Sequence, residues 1–198
     1  MIKLNNLCQD KPYLIFKDKY YQALGANQMN IEAVSIASFN NISKEVDSRF
    51  VNLKFINGNE FIFFSNYNSP KSLAFNSHNQ ISALFFWSSI NIQIRIKANI
   101  TKTPRKFNLE YFIKRDKKKN ALAICSDQSK PTQSYEDVQR KFKKSLDLDN
   151  LQDCPEYWGG YSFIPYYFEF WKGHESRLNK REIYEMKNNC WDEYILEP

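Results

Sequence analysis

Glycine is scarce in this chain, with 5 in 198 residues. Neither GxGxxG nor GxxxxGKS/T occurs, which excludes the glycine-rich phosphate cradles of dinucleotide-binding and P-loop proteins. Cysteine and histidine are equally thin. The four cysteines, Cys8, Cys125, Cys154 and Cys190, stand far apart with no CxxC pair, and the histidines are only His78 and His174. No metal-ligand cluster is visible in that spacing. Free thiols in a reducing cytosol are the simplest account, so a cytoplasmic location is expected. No apolar run approaches the roughly 20 residues that a membrane span needs, so no membrane partner is expected. Residues 1–10 lack the apolar stretch of a signal peptide and read as a loose N-terminal segment.

What the chain does have is apolar and aromatic substance: 42% hydrophobic and 16% aromatic residues. That composition excludes a disordered chain. The length fits one domain, residues 1–198, with a sizeable core. Net charge is +6. A basic balance suits an anionic partner, whether nucleic acid, phosphate or a flavin nucleotide, and it also suits drift in a sequence rich in Lys, Asn, Ile and Phe. The basic residues are spread out and mixed with acidic ones. The densest run, Arg115-Asp116-Lys117-Lys118-Lys119, reads as a solvated helix end, and no nucleic-acid partner is expected.

Periodicity orders the chain. Residues 12–26 read as a helix, and Ala33 to Phe39 as a buried strand. Arg49 to Ile56 alternates as a half-buried strand, Asn57-Gly58 marks a tight turn, and Glu60 to Tyr67 is the return strand. Ser69 suits a helix N-cap and Pro70 the first helical position. Lys71 then falls in a first turn, where it opposes the helix dipole; orphan N–H groups there favour an anion, so Lys71 hints at function rather than helix stability. Ile81 to Trp87 is an apolar strand. Residues 91–102 alternate, with Ile92, Ile94, Ile96, Ala98 and Ile100 on one face and Gln93, Arg95 and Lys97 on the other. Helices are expected over 106–118 and 134–145, and three strands over 160–197. The whole reads as a strand-rich α+β domain whose antiparallel hairpins, with peripheral helices, suggest a small barrel.

The last quarter concentrates the chemistry. Trp158-Gly159-Gly160-Tyr161, Phe168-Glu169-Phe170-Trp171 and Arg177-Leu178-Asn179-Lys180-Arg181 follow in close order. A flat ring at a strand end and two arginines spaced i, i+4 suit a flat anionic ligand, because a guanidinium pairs with phosphate and stacks on rings. Ordinary surface arginines at a strand end fit the same pattern. Spacing alone likewise makes Tyr111 a core aromatic, Arg115 a solvated helix charge, and Gln93 as much a surface amide as a ligand.

Taken together, the segments resemble the pyridoxamine 5'-phosphate oxidase family. The resemblance runs from about Lys11 to Pro198 and rests on Ser48-Arg49-Phe50-Val51-Asn52-Leu53-Lys54, Phe63-Phe64-Ser65-Asn66-Tyr67, Phe85-Phe86-Trp87, Gln93-Ile94-Arg95-Ile96, Tyr111-Phe112-x-x-Arg115, Ser126-Asp127-Gln128-Ser129 and the C-terminal block. It implies an FMN-binding split β-barrel with peripheral helices, working as a homodimer with FMN at the interface. FMN would be held by Arg49, Phe50, Val51, Asn52, Leu53, Lys54, Phe64, Ser65, Lys71, Gln93, Gln128, Ser129, Trp171 and Arg181. The substrate's phosphate would fall to Lys54, Tyr111, Arg115 and Lys119, and its ring to Arg177 and Asn179, the residues implied to be catalytic. The implied reaction oxidises pyridoxamine or pyridoxine 5'-phosphate to pyridoxal 5'-phosphate with O2 as acceptor and H2O2 as product.

The chain departs from the family pattern at three places. Asn179 stands where His is usual; it can hydrogen-bond a ring hydroxyl but cannot carry a proton near neutral pH. Pro70 stands where an Arg commonly precedes Lys71, which removes a cation and an N–H donor. Lys119 stands where Ser is common. These changes keep two alternatives open: a related flavoenzyme with a different substrate, and a non-catalytic module that binds FMN or another flat anion.

Overall fold

The structure is a computed structural model that describes residues 1–148 and 150–198. Among the described residues the elements are β1 (Lys3–Asn5), α1 (Lys11–Gly25), β2 (Ala33–Asn40), β3 (Glu45–Asn52), β4 (Phe55–Asn57), β5 (Glu60–Asn66), α2 (Pro70–Ser77), β6 (Gln80–Trp87), β7 (Ile92–Lys102), α3 (Arg105–Lys114), α4 (Lys117–Cys125), α5 (Tyr135–Leu146), β8 (Trp158–Lys172), β9 (Lys180–Lys187) and β10 (Cys190–Leu196). The ten strands order as β1-β4-β5-β8-β7-β6-β2-β3, with β9 on β8 and β10 on β9. β1 pairs parallel with β4, while β2·β3, β2·β6, β4·β5, β6·β7, β8·β9 and β9·β10 are antiparallel. The described residues include no helix long and apolar enough to cross a membrane.

The chain forms two compact units. Unit 1 comprises Met1–Phe63, Ala74–Thr101 and Ser162–Pro198. Its core is aromatic. Helix α1 starts with Pro12 in its first turn, where a missing N–H costs nothing, and buries Tyr13, Phe16, Tyr20 and Ala23. Phe16 meets Phe61, Phe85 and Trp87 edge-on at 5.2–5.5 Å between centroids. Each such ring, fully buried, contributes about 1.5–3 kcal/mol of transfer free energy. The alternation expected in β7 holds, with Ile92, Ile94, Ile96, Ala98 and Ile100 all buried.

Unit 2 comprises Phe64–Leu73 and Lys102–Tyr161. Two caps set its helices. Asp116 accepts from the Lys119 N–H to start α4, and Ser134 accepts from the Asp137 N–H to start α5. Buried Asn120 donates to the carbonyls of Phe112 and Leu151, which ties α4 to α3 and to the chain after α5.

Three boundaries differ from the sequence expectation. The strand expected over 49–56 begins earlier, at Glu45, and is interrupted after Asn52: Leu53 N–H turns to Glu32 O (2.8 Å), and Lys54 N–H to Ile62 O (2.8 Å). The helix expected over 106–118 is two helices, because Arg115 and Asp116 take extended backbone (ψ 152° and 132°) and Asp116 restarts the ladder as a cap. Residues 1–10, expected to be loose, contribute β1, and Ile2 is buried with its N–H on the Tyr20 hydroxyl (3.0 Å). Three residues are too few for periodicity to reveal.

Candidate functional site

In unit 2 the chain leaves β5 and enters α2 through a knot of hydroxyls. Ser69 Oγ donates to Asn66 O (2.7 Å), Ser72 Oγ donates to the same carbonyl (2.8 Å), and the two hydroxyls lie 3.1 Å apart. Lys71 is 8% exposed. Its Nζ donates to Ser65 Oγ and Ser69 Oγ, both at 3.0 Å. An ammonium held by neutral hydroxyls at the N-terminus of an eight-residue helix gathers a full positive charge, O–H dipoles and backbone N–H groups in one place. That donor set is the chemistry a phosphate needs.

A second cluster in unit 2 is built of rings. Phe64 stacks nearly parallel on Tyr111 (4.0 Å, 13°) and on Trp158 (5.1 Å, 7°). The Arg115 guanidinium lies over the Trp158 ring at 5.0 Å, and its Nη1 donates to Lys119 O (2.7 Å) and Asn120 Oδ1 (3.2 Å). Burial pulls the Arg115 pKa down against the nearby Tyr111 and Asp116, and burial pushes Tyr111 up. Arg115 is thus a half-buried, oriented cation rather than a solvated helix charge. The Lys119 side chain is exposed, and its contact with Arg115 is through the main chain. Gln128 lines a cleft of about 140 Å³ with Asn66, Asn68 and Tyr157. Ser129 follows it in the left-handed region (φ 68°).

Unit 1 carries the remaining candidates. Arg49, on β3, donates from Nη1 to Ser38 Oγ (2.8 Å) and Ile36 O (3.2 Å), and from Nη2 to Asp47 (2.5 Å). Its neighbours Phe50 and Asn52 are exposed, Val51 is half-buried and Leu53 is buried. Lys54 acts electrostatically on Glu32, helping to hold that carboxyl below its ordinary range although burial opposes this. Gln93 is half-buried on β7, opposite Phe86. Trp171 and Arg181 face each other across β8 and β9. Arg177 stands exposed in the β8–β9 loop with φ 63°, and Asn179 Oδ1 accepts from the His174 N–H (3.1 Å).

Three features were not read from the sequence. Buried Glu169 binds Arg181 Nε (2.8 Å), Arg95 and the Tyr167 hydroxyl (3.1 Å). A lone carboxylate inside the apolar run Tyr167–Trp171 was the available signal, since a buried charge needs partners. The second feature is an amide knot in unit 2, in which Asn108 Oδ1 accepts from Thr103 Oγ1 and Gly160 N–H while Asn108 Nδ2 donates to Tyr67 OH (3.1 Å). The Gly159-Gly160 pair allows that approach: a Cβ on Gly159 would lie 2.1 Å from Tyr67 Oη. The third is the Ser69–Ser72 hydroxyl pair itself.

A family model described as the pyridoxine 5'-phosphate oxidase C-terminal dimerisation region matches residues 158–198. The pyridoxine/pyridoxamine 5'-phosphate oxidase 1 of Hydrogenovibrio crunogenus is 35% identical over 194 residues, covering 96% of this chain and 89% of that protein. The chain belongs to the pyridoxine/pyridoxamine 5'-phosphate oxidase family. A second member, from Cytophaga hutchinsonii, is 35% identical over 182 residues, covering 89% of this chain and 84% of its own. Among solved structures, PhzG from Burkholderia lata 383, in complex with tetrahydrophenazine-1-carboxylic acid, superposes with a TM-score of 0.89 at 24% identity, covering 94% of this chain and 92% of that one. A pyridoxamine 5'-phosphate oxidase-related, FMN binding protein from Nostoc punctiforme PCC 73102 gives 0.77 at 10% identity, covering 92% and 97%. At those identities the likeness speaks for the fold, and the strand-rich α+β class expected from the sequence of this pyridoxine/pyridoxamine 5'-phosphate oxidase family member is the class observed.

Proposed function

We propose that this chain is an FMN-dependent oxidase that converts pyridoxamine or pyridoxine 5'-phosphate to pyridoxal 5'-phosphate, working as a homodimer. The observation that carries the reading is the oriented Arg115: a half-buried guanidinium over Trp158, next to the hydroxyl-bearing ring of Tyr111. A side chain placed at that desolvation cost suits a dianionic phosphate. The donor set also fits the cofactor, because Lys71 has the charge and N–H donors, and Ser65 beside it a hydroxyl, that an FMN phosphate would take.

On this reading Lys71 and Ser65 hold the cofactor phosphate. Arg49, Lys54 and the main chain of Phe50–Leu53 and Phe64, with Gln93, Gln128 and Ser129, serve the rest of FMN, and Trp171 and Arg181 serve its flavin side. Tyr111, Arg115, Lys54 and Lys119 hold the substrate phosphate, and Arg177 and Asn179 orient its ring. Bound FMN supplies the two-electron acceptor, and O2 takes those electrons as H2O2. What the protein adds is orientation, since a ring fixed at its phosphate and at its face reacts as an intramolecular partner.

The test is the absorption spectrum of the purified protein before and after anaerobic addition of pyridoxamine 5'-phosphate. Flavin bands that bleach, with pyridoxal 5'-phosphate and H2O2 appearing after oxygen is admitted, are the expected result. Protein that binds no flavin overturns the reading. Bound flavin that neither vitamin B6 phosphate bleaches points instead to a flavoenzyme for another ring. What keeps that second reading open is Asn179 in place of the family's usual His, since an amide cannot carry a proton near neutral pH.

A further inference from the structure

Glu169 lies near the C-terminal end of β8 between Phe168 and Phe170, and it is 2% exposed. An isolated carboxylate at such a position would be protonated or expelled. Here three donors meet it. Arg181 Nε donates to Oε1 at 2.8 Å, while Arg95 Nη2 and the Tyr167 hydroxyl donate to Oε2, the latter at 3.1 Å. Burial raises its pKa, but Arg181, Arg95 and Tyr167 together outweigh burial and hold it below the ordinary carboxylate range.

The pairing fixes more than the carboxylate. Arg181 Nη1 donates to Glu197 O at 3.0 Å. Two of the three guanidinium nitrogens of Arg181 are thereby committed within unit 1, and Nη2 is the nitrogen left to donate outward. Arg95 is the second cation on the carboxylate; its Nη2 donates to Glu169, and its Nε is buried without a hydrogen-bond partner among the described residues. One carboxylate between two guanidiniums adds two attractive contacts at short range, which outweigh the cations' mutual repulsion. It lets two planar cations stand on one sheet face with net charge +1, which neither would hold unaided.

We propose that Glu169 is a positioning residue for FMN: by clamping Arg181 it aims the remaining Nη2 donor of that guanidinium at the cofactor. This rests on the reading of Arg181 as an FMN ligand. It predicts that Glu169 acts on FMN through Arg181, so the two residues do not contribute independently.

The experiment is a double-mutant cycle on FMN affinity, followed by flavin fluorescence, with the melting temperature of the flavin-free protein recorded for each variant. Glu169→Gln keeps the side-chain shape and should weaken FMN about tenfold to a hundredfold, the loss of a charge-assisted hydrogen bond. The Glu169→Gln, Arg181→Gln double variant should bind within about threefold of Arg181→Gln alone, as coupled sites do. Tyr167→Phe removes the hydroxyl that holds Oε2, which loosens the carboxylate against Arg181, and should weaken FMN severalfold while lowering the flavin-free melting temperature by only a few degrees. Wild-type affinity in Glu169→Gln, or losses that add in full, overturns the proposal. If Glu169→Gln does not fold, Tyr167→Phe decides, and unchanged affinity there overturns it equally. If the wild-type protein itself binds no FMN, the functional reading fails, an outcome distinct from wild-type binding that is insensitive to Glu169.

Discussion

Replacing Lys71 with methionine separates a functional cation from a structural one. The side chain is 8% exposed, and its ammonium rests on the hydroxyls of Ser65 and Ser69 at 3.0 Å each. Methionine keeps the alkyl volume and removes the charge. In the flavin-free protein two opposing effects follow. Two hydrogen bonds to neutral hydroxyls are lost, at about 0.5–1.5 kcal/mol each, and the desolvation penalty of a buried ammonium, of several kcal/mol, disappears. Ser69 retains Asn66 O and Ser72 as partners. The flavin-free melting temperature should therefore stay within a few degrees of wild type, since about 1 kcal/mol corresponds to ~2–4 °C at this size. FMN binding should respond differently. Loss of a charge-assisted bond to phosphate costs about 1.5–3 kcal/mol, or roughly one to two decades in Kd. At an FMN concentration about 100-fold above the wild-type Kd, ligand linkage adds ~2.7 kcal/mol to the wild type, and a Kd weakened about 30-fold leaves ~0.9 kcal/mol. Melting curves with and without FMN, alongside a fluorescence titration, read both quantities. A variant that melts far below wild type without FMN, yet binds FMN as wild type does, would refute the reasoning and make Lys71 a structural residue.

Three further outcomes are expected. Gly159→Ala should destabilise by about 2–4 kcal/mol, read as a fall in urea midpoint, because its Cβ would sit 2.1 Å from Tyr67 Oη and 2.5 Å from Asn108 Nδ2, atoms bonded to each other. Trp158→Phe shrinks the ring under Arg115 and should raise KM for the phosphorylated substrate about twofold to thirtyfold while leaving kcat nearly unchanged, matching a cation–π contact of about 0.5–2 kcal/mol. Glu169 sets a pH dependence with a definite sign. Its folded-state pKa is lowered, so its contribution is fully present above the unfolded carboxylate value of about 4.3 and is lost as pH falls through the lower folded value. Acid denaturation followed by tryptophan fluorescence should accordingly show a shallower fall in stability over that window in Glu169→Gln than in wild type.

Legibility in the sequence followed the range of the interaction. Alternation along residues 91–102 named the buried face of β7 residue by residue, because burial on one side of a sheet imposes a period of two that nothing else in the chain disturbs. The start of α2 at Pro70 was equally open to reading, since proline at a first helical position is a local preference, although the Ser69 hydroxyl expected to cap the helix donates to Asn66 O. The break at Arg115-Asp116 was hidden: Leu109, Phe112 and Ile113 promise a continuing helix, and only the Asp116 cap and the seating of Arg115 on Trp158, 43 positions along the chain, stop it. The partners of Glu169 were hidden for the same reason. Arg95 stands 74 residues away, and the alternation of β7 placed it only on the face opposite the isoleucines. A pattern of apolar spacing reports which face is buried. It does not report which buried carboxylate a distant guanidinium will find.

Asn179 shows what such pairing does to a departure from a family motif. Its loop is pinned by the Arg177 N–H on His174 O (3.0 Å), the Asn179 N–H on Arg177 O (2.8 Å) and the His174 N–H on Asn179 Oδ1 (3.1 Å). The last two hold Arg177 in a left-handed conformation at φ 63°, which costs a residue with a side chain about 1–3 kcal/mol when nothing supports it. The amide thus divides its labour: the oxygen closes the loop beneath Arg177, and the amino group is the donor that remains. A neutral imidazole also offers an acceptor and a donor, one at each ring nitrogen, though with one N–H where the amide has two. Asn in place of His therefore keeps the loop closure and the outward donor. It removes only the group that titrates near neutral pH. On the proposed function, ring orientation by Arg177 survives the replacement, while any dependence of turnover on an ionisation near pH 6–7 at this position does not.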